Sequence, residues 1–236
     1  MTNHNHHFSE REIKTTALVY DRKLANNRAS FSMEMSFKSG ENGTLKGTRK
    51  WYCIGDEAVS IEKLEWCANK GIHRVSMHNL SLRETAEMRH SDKSGDFELC
   101  SPKTNMLPKV KSTQFNTSPA TLLSLPFEVA KHWNTLKKGE KLIFDYSVLK
   151  VQAHTKVSLQ AKIEDGYFVV ELKPLSWFWQ LVFGSTYMYF DQDKPVLRKI
   201  DGLIEPRDKK PNGRYLEYLA MMEFDSGVDL SRLVKV

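Results

Sequence analysis

The chain has 236 residues, 40% apolar, 27% charged and 11% aromatic, a balance that excludes a largely disordered chain and a collagen-like repeat. Lys and Arg number 35 against 29 Asp and Glu, a formal charge of +6, which favours anionic partners without specifying a fold. Three cysteines, Cys53, Cys67 and Cys100, lack metal-site spacing and support neither a disulfide scaffold nor a zinc module, so all three are expected as thiols.

Residues 1–16 read as a flexible polar tail. Its first ten residues lack the apolar core of a secretory signal, and its histidines, His4, His6 and His7, are taken as incidental rather than as a metal site. No stretch of the sequence reaches the ~18 apolar residues that span a bilayer. Beyond the tail, Ala29, Phe31, Met33, Met35 and Phe37 alternate with polar residues, the period-two pattern of a strand with one buried face. Gly40 to Gly43 reads as a turn and Leu45–Ile54 as the returning strand. Further turns at Gly55-Asp56, Asn69–Gly71 and Ser91–Gly95 punctuate short strands at hairpin spacing.

Residues 101–121, with Pro102, Pro108 and Pro119, are expected as a long loop. From Pro126 to Leu136, Phe127, Ala130, Trp133 and Leu136 recur every three residues, predicting a short amphipathic helix closed by Gly139. Strands resume with Leu142, Phe144, Tyr146 and Val148 set against Asp145 and Ser147, then Val157–Ile163. Asp165-Gly166 turns the chain into Tyr167–Leu172. Leu175–Phe190 is the most apolar stretch. Pro174 and Gly184 bracket a two-turn helix there, followed by a strand to Asp191. A hairpin joins Val196–Glu205 to Tyr215–Phe224 through a polar linker, and 226–236 reads as a C-terminal tail. The pattern predicts one all-β domain over 17–225 with minor α: a strongly curved antiparallel sheet or half-barrel carrying two short helices.

No nucleophile elbow, His-Glu-x-x-His or phosphate-binding loop occurs, so no catalytic residue, metal or cofactor is assigned. His73 and His78, an odd number of strand residues apart, are expected on opposite faces. His132 is expected on a helix surface. Lysines are concentrated over 131–162, with seven against Glu140 and Asp145, and the basic residues recur over 194–214. Lys137, Lys138, Lys141, Lys209 and Lys210 form either a solvated face or a docking surface for an anionic membrane. The Trp177-Phe178-Trp179 cluster allows three readings: a core plug, a wall of an apolar cavity, or an interfacial dip into lipid.

Three patches carry a resemblance to an uncharacterised family of bacterial cell-envelope proteins. They are His132–Glu140 leading to Tyr146–Leu149, Glu171–Phe178 running to Asp191, and Val196-Leu197 through Gly202 into the last alternating strand. The family is similar in shape to the half-barrels that carry lipoproteins or lipids across the envelope, and no catalytic residues are established for it. The resemblance implies an envelope or periplasmic setting; if the chain as written is complete, the cytoplasm is expected instead. The expected function is non-enzymatic binding of an apolar or amphiphilic small molecule, lipid first, with no nucleic acid as partner. The expected ligand residues are Trp133, Trp177, Phe178, Trp179, Phe183, Tyr187 and Tyr189. The alternatives are an adaptor that binds an anionic partner through the basic face, or an enzyme acting on an envelope lipid or glycan.

Overall fold

The computed structural model describes residues 11–22, 29–40, 43–53, 57–102, 105–209 and 215–234, with backbone alone at 206, 208, 209 and 215–217. The histidine-bearing tail, the centre of the turn at 41–42, Gly55-Asp56 and residues 210–213 of the polar linker lie outside the described residues. Strand accounts for 64% and helix for 14%, an all-β protein with minor helix.

The chain runs as a meander through β1 (Glu12–Asp21), β2 (Ala29–Ser39), β3 (Thr44–Cys53), β4 (Ala58–Cys67), β5 (Gly71–Asn79), β6 (Glu84–Ser91), β7 (Ser94–Cys100) and β8 (Lys109–Gln114). It then crosses to the opposite edge at β9 (Pro119–Ala120) and passes through α1 (Leu125–Lys131) and α2 (Trp133–Lys137). A second meander follows: β10 (Leu142–Val148), β11 (Ala153–Glu164), β12 (Tyr167–Pro174), α3 (Trp177–Phe183), β13 (Thr186–Phe190), β14 (Val196–Lys209) and β15 (Tyr215–Asp229). All fifteen strands lie in one sheet, in the order β8 to β1 and then β15 to β9. β15 closes on β1 with Phe224 opposite Ala17, and β9 against β10 is the parallel pair. The sheet curls strongly but does not close.

Side chains bridge the seam between its two ends where no ladder does. At the start of β11, Gln152 donates to the carbonyls of Phe97 (3.3 Å) and Lys109. His154 Nδ1 lies 3.2 Å from Thr113 Oγ1. Asp145 Oδ2 accepts from the backbone N–H groups of Asn116 and Thr117, each at 2.7 Å.

Period two sets what fills the curl. Phe31, Met33, Met35 and Phe37 of β2, Met188 and Phe190 of β13, and Tyr218, Ala220, Met222 and Phe224 of β15 are all buried. The expected turn at Asp165-Gly166 forms with both residues at positive φ, 48° and 80°, as a two-residue hairpin requires.

The predicted helix at 126–136 forms as two pieces, and its role differs from a surface amphipathic helix. Every residue of α1 from Leu125 to Ala130 is buried. Phe127 packs edge-on to Phe37 (4.7 Å between centroids) and against Trp66 (5.7 Å). Trp133 of α2 packs on Phe168 (4.4 Å) and Phe190 (5.7 Å). The pair therefore plugs the curl, and Gly139, at φ 80°, ends it.

Three expected irregular stretches are ordered instead. β1 begins at Glu12, inside the expected tail, because Thr15, Ala17 and Val19 continue the inward phase. β8 and β9 occupy part of 101–121, with β8 nearly all exposed on an edge, which hides its alternation. Beyond 225, Val228, Leu230 and Val234 are buried, and the short 3-10 turn Leu230–Arg232 packs against α1. Two face assignments also change. Asp145 and Ser147 are both buried, Asp145 under the chain leading into β9, where it accepts from the N–H groups of Asn116 and Thr117. His73 and His78 are both exposed, because a register shift between Glu65 and Trp66 on β4, opposite Ile72 to Arg74, inverts the phase of β5.

Two predictions follow the plug. Phe127→Ala should lower the unfolding free energy by about 3–5 kcal/mol, read from urea titration, as loss of a buried aromatic requires. Glu128, buried beside Phe127, accepts a 2.8 Å bond from Trp66 Nε1, yet burial raises its pKa above the ordinary carboxylate range. A raised carboxyl contributes stability below its unfolded pKa and loses it as pH rises through the folded one. Glu128→Gln should therefore raise Tm at pH 8 by about 2–4 °C, the shift that ~1 kcal/mol gives a domain of this size, with little change near pH 4.

Candidate functional site

The plug fills one end of the curl only. Towards the other end a cavity of about 110 Å³ remains on the concave side. Its walls are mostly apolar, with Val75 and Met77 from β5, Val148 from β10, Val157 from β11, Leu172 from β12 and Ile204 from β14, among which Thr155 and Thr186 place hydroxyls. Arg49 and Leu122 form its floor, since both also line a second, much smaller void beneath Pro126. Lys150, Phe183, Gly184 and Glu205 stand at its outer end, between α3 and the 3-10 turn Leu149–Val151.

The floor is polar and charge-paired. Arg49, 2% exposed, sits in the inward phase of β3 with Leu45, Gly47 and Trp51. Its Nε and Nη2 donate to Glu62 of β4 at 2.6 and 2.9 Å, a bidentate pair. Trp51 Nε1 donates to Glu62 at 2.9 Å, and the guanidinium lies 4.9 Å from the Trp51 ring centre. Both carboxylate oxygens of Glu62 are thus engaged within the protein, and the charge of Arg49 is met by its bidentate partner. Tyr146 lines the cavity too, and burial pushes its hydroxyl well above the ordinary phenol range. At the outer end, Lys150 pairs with Glu205 at 3.5 Å, and Arg207 pairs with Glu84 across the opening from β14 to β6.

α3 caps the rim. Trp179, Gln180 and Phe183 turn toward the protein: Trp179 and Phe183 stack at 5.0 Å with rings 3° apart, and Gln180 donates to the Pro174 carbonyl at 2.8 Å. The opposite side of the helix is bare. Trp177 is 72% exposed, Leu181 77%, and Phe178 and Val182 are exposed with them.

The sequence-derived ligand set is thereby dispersed. Phe183 reaches the cavity and Trp179 stacks behind it. Trp177 and Phe178 face solvent, and Trp133 is in the core beneath. Tyr187 and Tyr189 fall on the outer phase of β13, where Tyr187 donates to Glu171 and Lys199 Nζ lies 4.2 Å from the Tyr189 ring. Of the basic set, Lys137, Lys138 and Lys141 are exposed, the side chain of Lys209 is not described, and Lys210 lies outside the described residues. Arg49, Glu62, Met77, Leu122 and Tyr146 were not anticipated. A usable signal was present: on two strands predicted to neighbour each other, one arginine and one glutamate occupy the apolar phase.

No family model matches the chain, and neither does any curated protein. Among solved structures it is similar to a β-barrel-like protein of a domain of unknown function from Brucella abortus, at 6% identity, covering 89% of this chain and 97% of that one with a TM-score of 0.39. It is also similar to a putative outer membrane lipoprotein-sorting protein domain from Vibrio parahaemolyticus, at 9% identity, covering 95% and 89%, with a TM-score of 0.28.

Removing one partner of the floor pair strands a buried charge, whereas removing both does not. Glu62→Gln should therefore cost about 3–5 kcal/mol in equilibrium unfolding, and Arg49→Met combined with Glu62→Leu should recover most of that loss.

Proposed function

We propose that the protein binds the apolar end of an amphiphile, an acyl chain first among candidates, in the cavity of its half-barrel and performs no chemistry on it. The observation that carries this reading is the cavity itself, mostly apolar on its walls and open between α3 and the Leu149–Val151 turn. The charge-paired floor sets the orientation. The charge of Arg49 is already met by Glu62 in a buried bidentate pair, so a charged head stays at the outer end beside Lys150, and the tail enters. At about 110 Å³ the space is somewhat smaller than the ~150 Å³ cavity that accommodates benzene in another protein. It takes a handful of methylenes as it stands, and a longer chain requires α3 to move from the rim about Gly184. A carrier of this kind suits the cell envelope that the resemblance over residues 121–225 implies.

A second reading, an adaptor for an anionic partner, rests on the exposure of Lys137, Lys138 and Lys141 at and beyond the end of α2. Its surface lies away from the cavity, so the two readings separate experimentally.

Dansyl-labelled undecanoic acid should gain fluorescence on mixing with the protein, and unlabelled fatty acids should displace it. Affinity should rise about fourfold per added methylene, the factor for ~0.8 kcal/mol of burial, until the chain outgrows the cavity. Met77→Trp, which fills the space from the wall, should abolish uptake while circular dichroism and Tm stay native. Uptake undiminished in that folded variant, or absent from the wild type, sinks the cavity reading. Lys137→Glu, Lys138→Glu and Lys141→Glu together should leave uptake unchanged.

A further inference from the structure

The bare side of α3 is the largest feature that cavity binding leaves unexplained. Trp177, Phe178, Leu181 and Val182 are joined on one rim by Leu175, 42% exposed, and Val151, 50% exposed. With aromatic side chains of 150–250 Å², this patch is on the order of 600 Å², the upper end for a monomer's largest apolar patch and a range that is often functional. A stable self-association buries about 800 Å² per partner, so the patch falls short of covering itself with a second copy. Its chemistry suits a different cover. Seven residues at ~1.5 Å rise make a helix of about 10 Å, far too short to span a bilayer but sized to lie in its interface. Tryptophan suits that depth, with an apolar ring and one N–H for the wet side. Two exposed lysines on the outer sheet face, Lys156 of β11 and Lys173 of β12, flank the start of the helix, where Leu175 N–H donates to the Lys156 carbonyl. They supply charge complementary to anionic headgroups. The patch is also continuous with the cavity, because Phe183, on the inner side of the same helix, lines it.

We infer that α3, with Leu175, Val151, Lys156 and Lys173, is a docking surface for an anionic phospholipid bilayer, which sets the mouth of the cavity against the lipid. Lys137 and Lys138 are not part of it. They end α2, whose Trp133 packs on Phe168 near the far end of β12, about 20 Å from Pro174 at strand rise.

The test is flotation and tryptophan fluorescence with vesicles of phosphatidylglycerol mixed with phosphatidylcholine. The wild type should bind, with a blue shift from Trp177 and quenching by brominated lipid. Trp177→Ser with Leu181→Ser should weaken binding by at least about 100-fold at any salt, since apolar burial is unscreened. Lys156→Glu with Lys173→Glu should weaken it by roughly 25-fold at low salt, the factor that two lysines carry at an anionic surface, and by little near 1 M salt, where the Debye length is about 3 Å. All four positions are exposed, so both variants should melt as the wild type does. Wild-type protein that ignores the vesicles, or a serine variant that binds as tightly as wild type, overturns the inference. So does sedimentation showing a wild-type dimer that the serine variant dissolves, because a second copy would then cover the patch. The cavity reading is scored apart: the serine variant should still take up the dansyl probe, and Met77→Trp should still bind vesicles.

Discussion

The burial of α1 inside the curl is the contact on which the rest of the structure depends. Fifteen strands in one layer present a concave apolar face, and among the described residues no second sheet covers it. α1 supplies the cover: Phe127 enters between Phe37 and Trp66, and Leu125 and Val129 are wholly buried. Even its one acid, Glu128, is admitted because Trp66 meets it with a donor. The last turn of the chain, through Leu230 and Val234, closes over the same helix from the β15 side. A sheet held open around a helix cannot also narrow until its own side chains meet. The void beyond the end of the plug is thus a consequence of how the core is filled.

The floor of that void shows a second constraint. Arg49 and Glu62 sit in phases that β3 and β4 otherwise fill with Leu45, Trp51, Leu64 and Trp66. A buried pair of this kind is poor evidence of added stability, since apolar residues of equal volume serve a core about as well. Its effect is on shape and polarity. Three hydrogen bonds from Arg49 and Trp51 fix the carboxylate, and the resulting rigid polar partition separates the packed end from the open one. An apolar tail meets a floor that gives it no ion to neutralise and no loose side chain to displace.

Much of the sheet was legible because period two is a direct imprint of a half-buried strand. The alternation from Phe31 to Phe37 and from Tyr218 to Phe224 translated into burial residue by residue. The pattern misled where a strand is wet or covered on both sides. Exposed β8 carries no apolar phase, and β10 buries Asp145 under a neighbour that its own sequence does not announce. The bulge that inverts His73 arises from pairing with β4, and no local signal in β5 marks it. The site was less legible than the fold. Aromatic density drew attention to 177–189, whereas the cavity is walled mostly by aliphatic residues from five strands that only the curl brings together.

Topology, not hydrophobicity, decided which helix became the plug. α1 and α3 are both seven residues long, and α3 has no charged residue where α1 has Glu128 and Lys131. By composition α3 should be inside. However, α3 connects β12 to β13, which are adjacent and antiparallel, so its connection only has to turn at the rim. α1 lies between β9 and β10, the parallel pair, and a parallel pair requires the chain to travel back along the sheet before pairing again. That return passes over the concave face and carries α1 and α2 into the curl. The decisive element is β9, two residues long in a proline-bearing stretch that reads as loop. Once it is recognised as a strand, the inversion follows: the helix with a buried acid is the core, and the helix with the most apolar sequence is left on the surface.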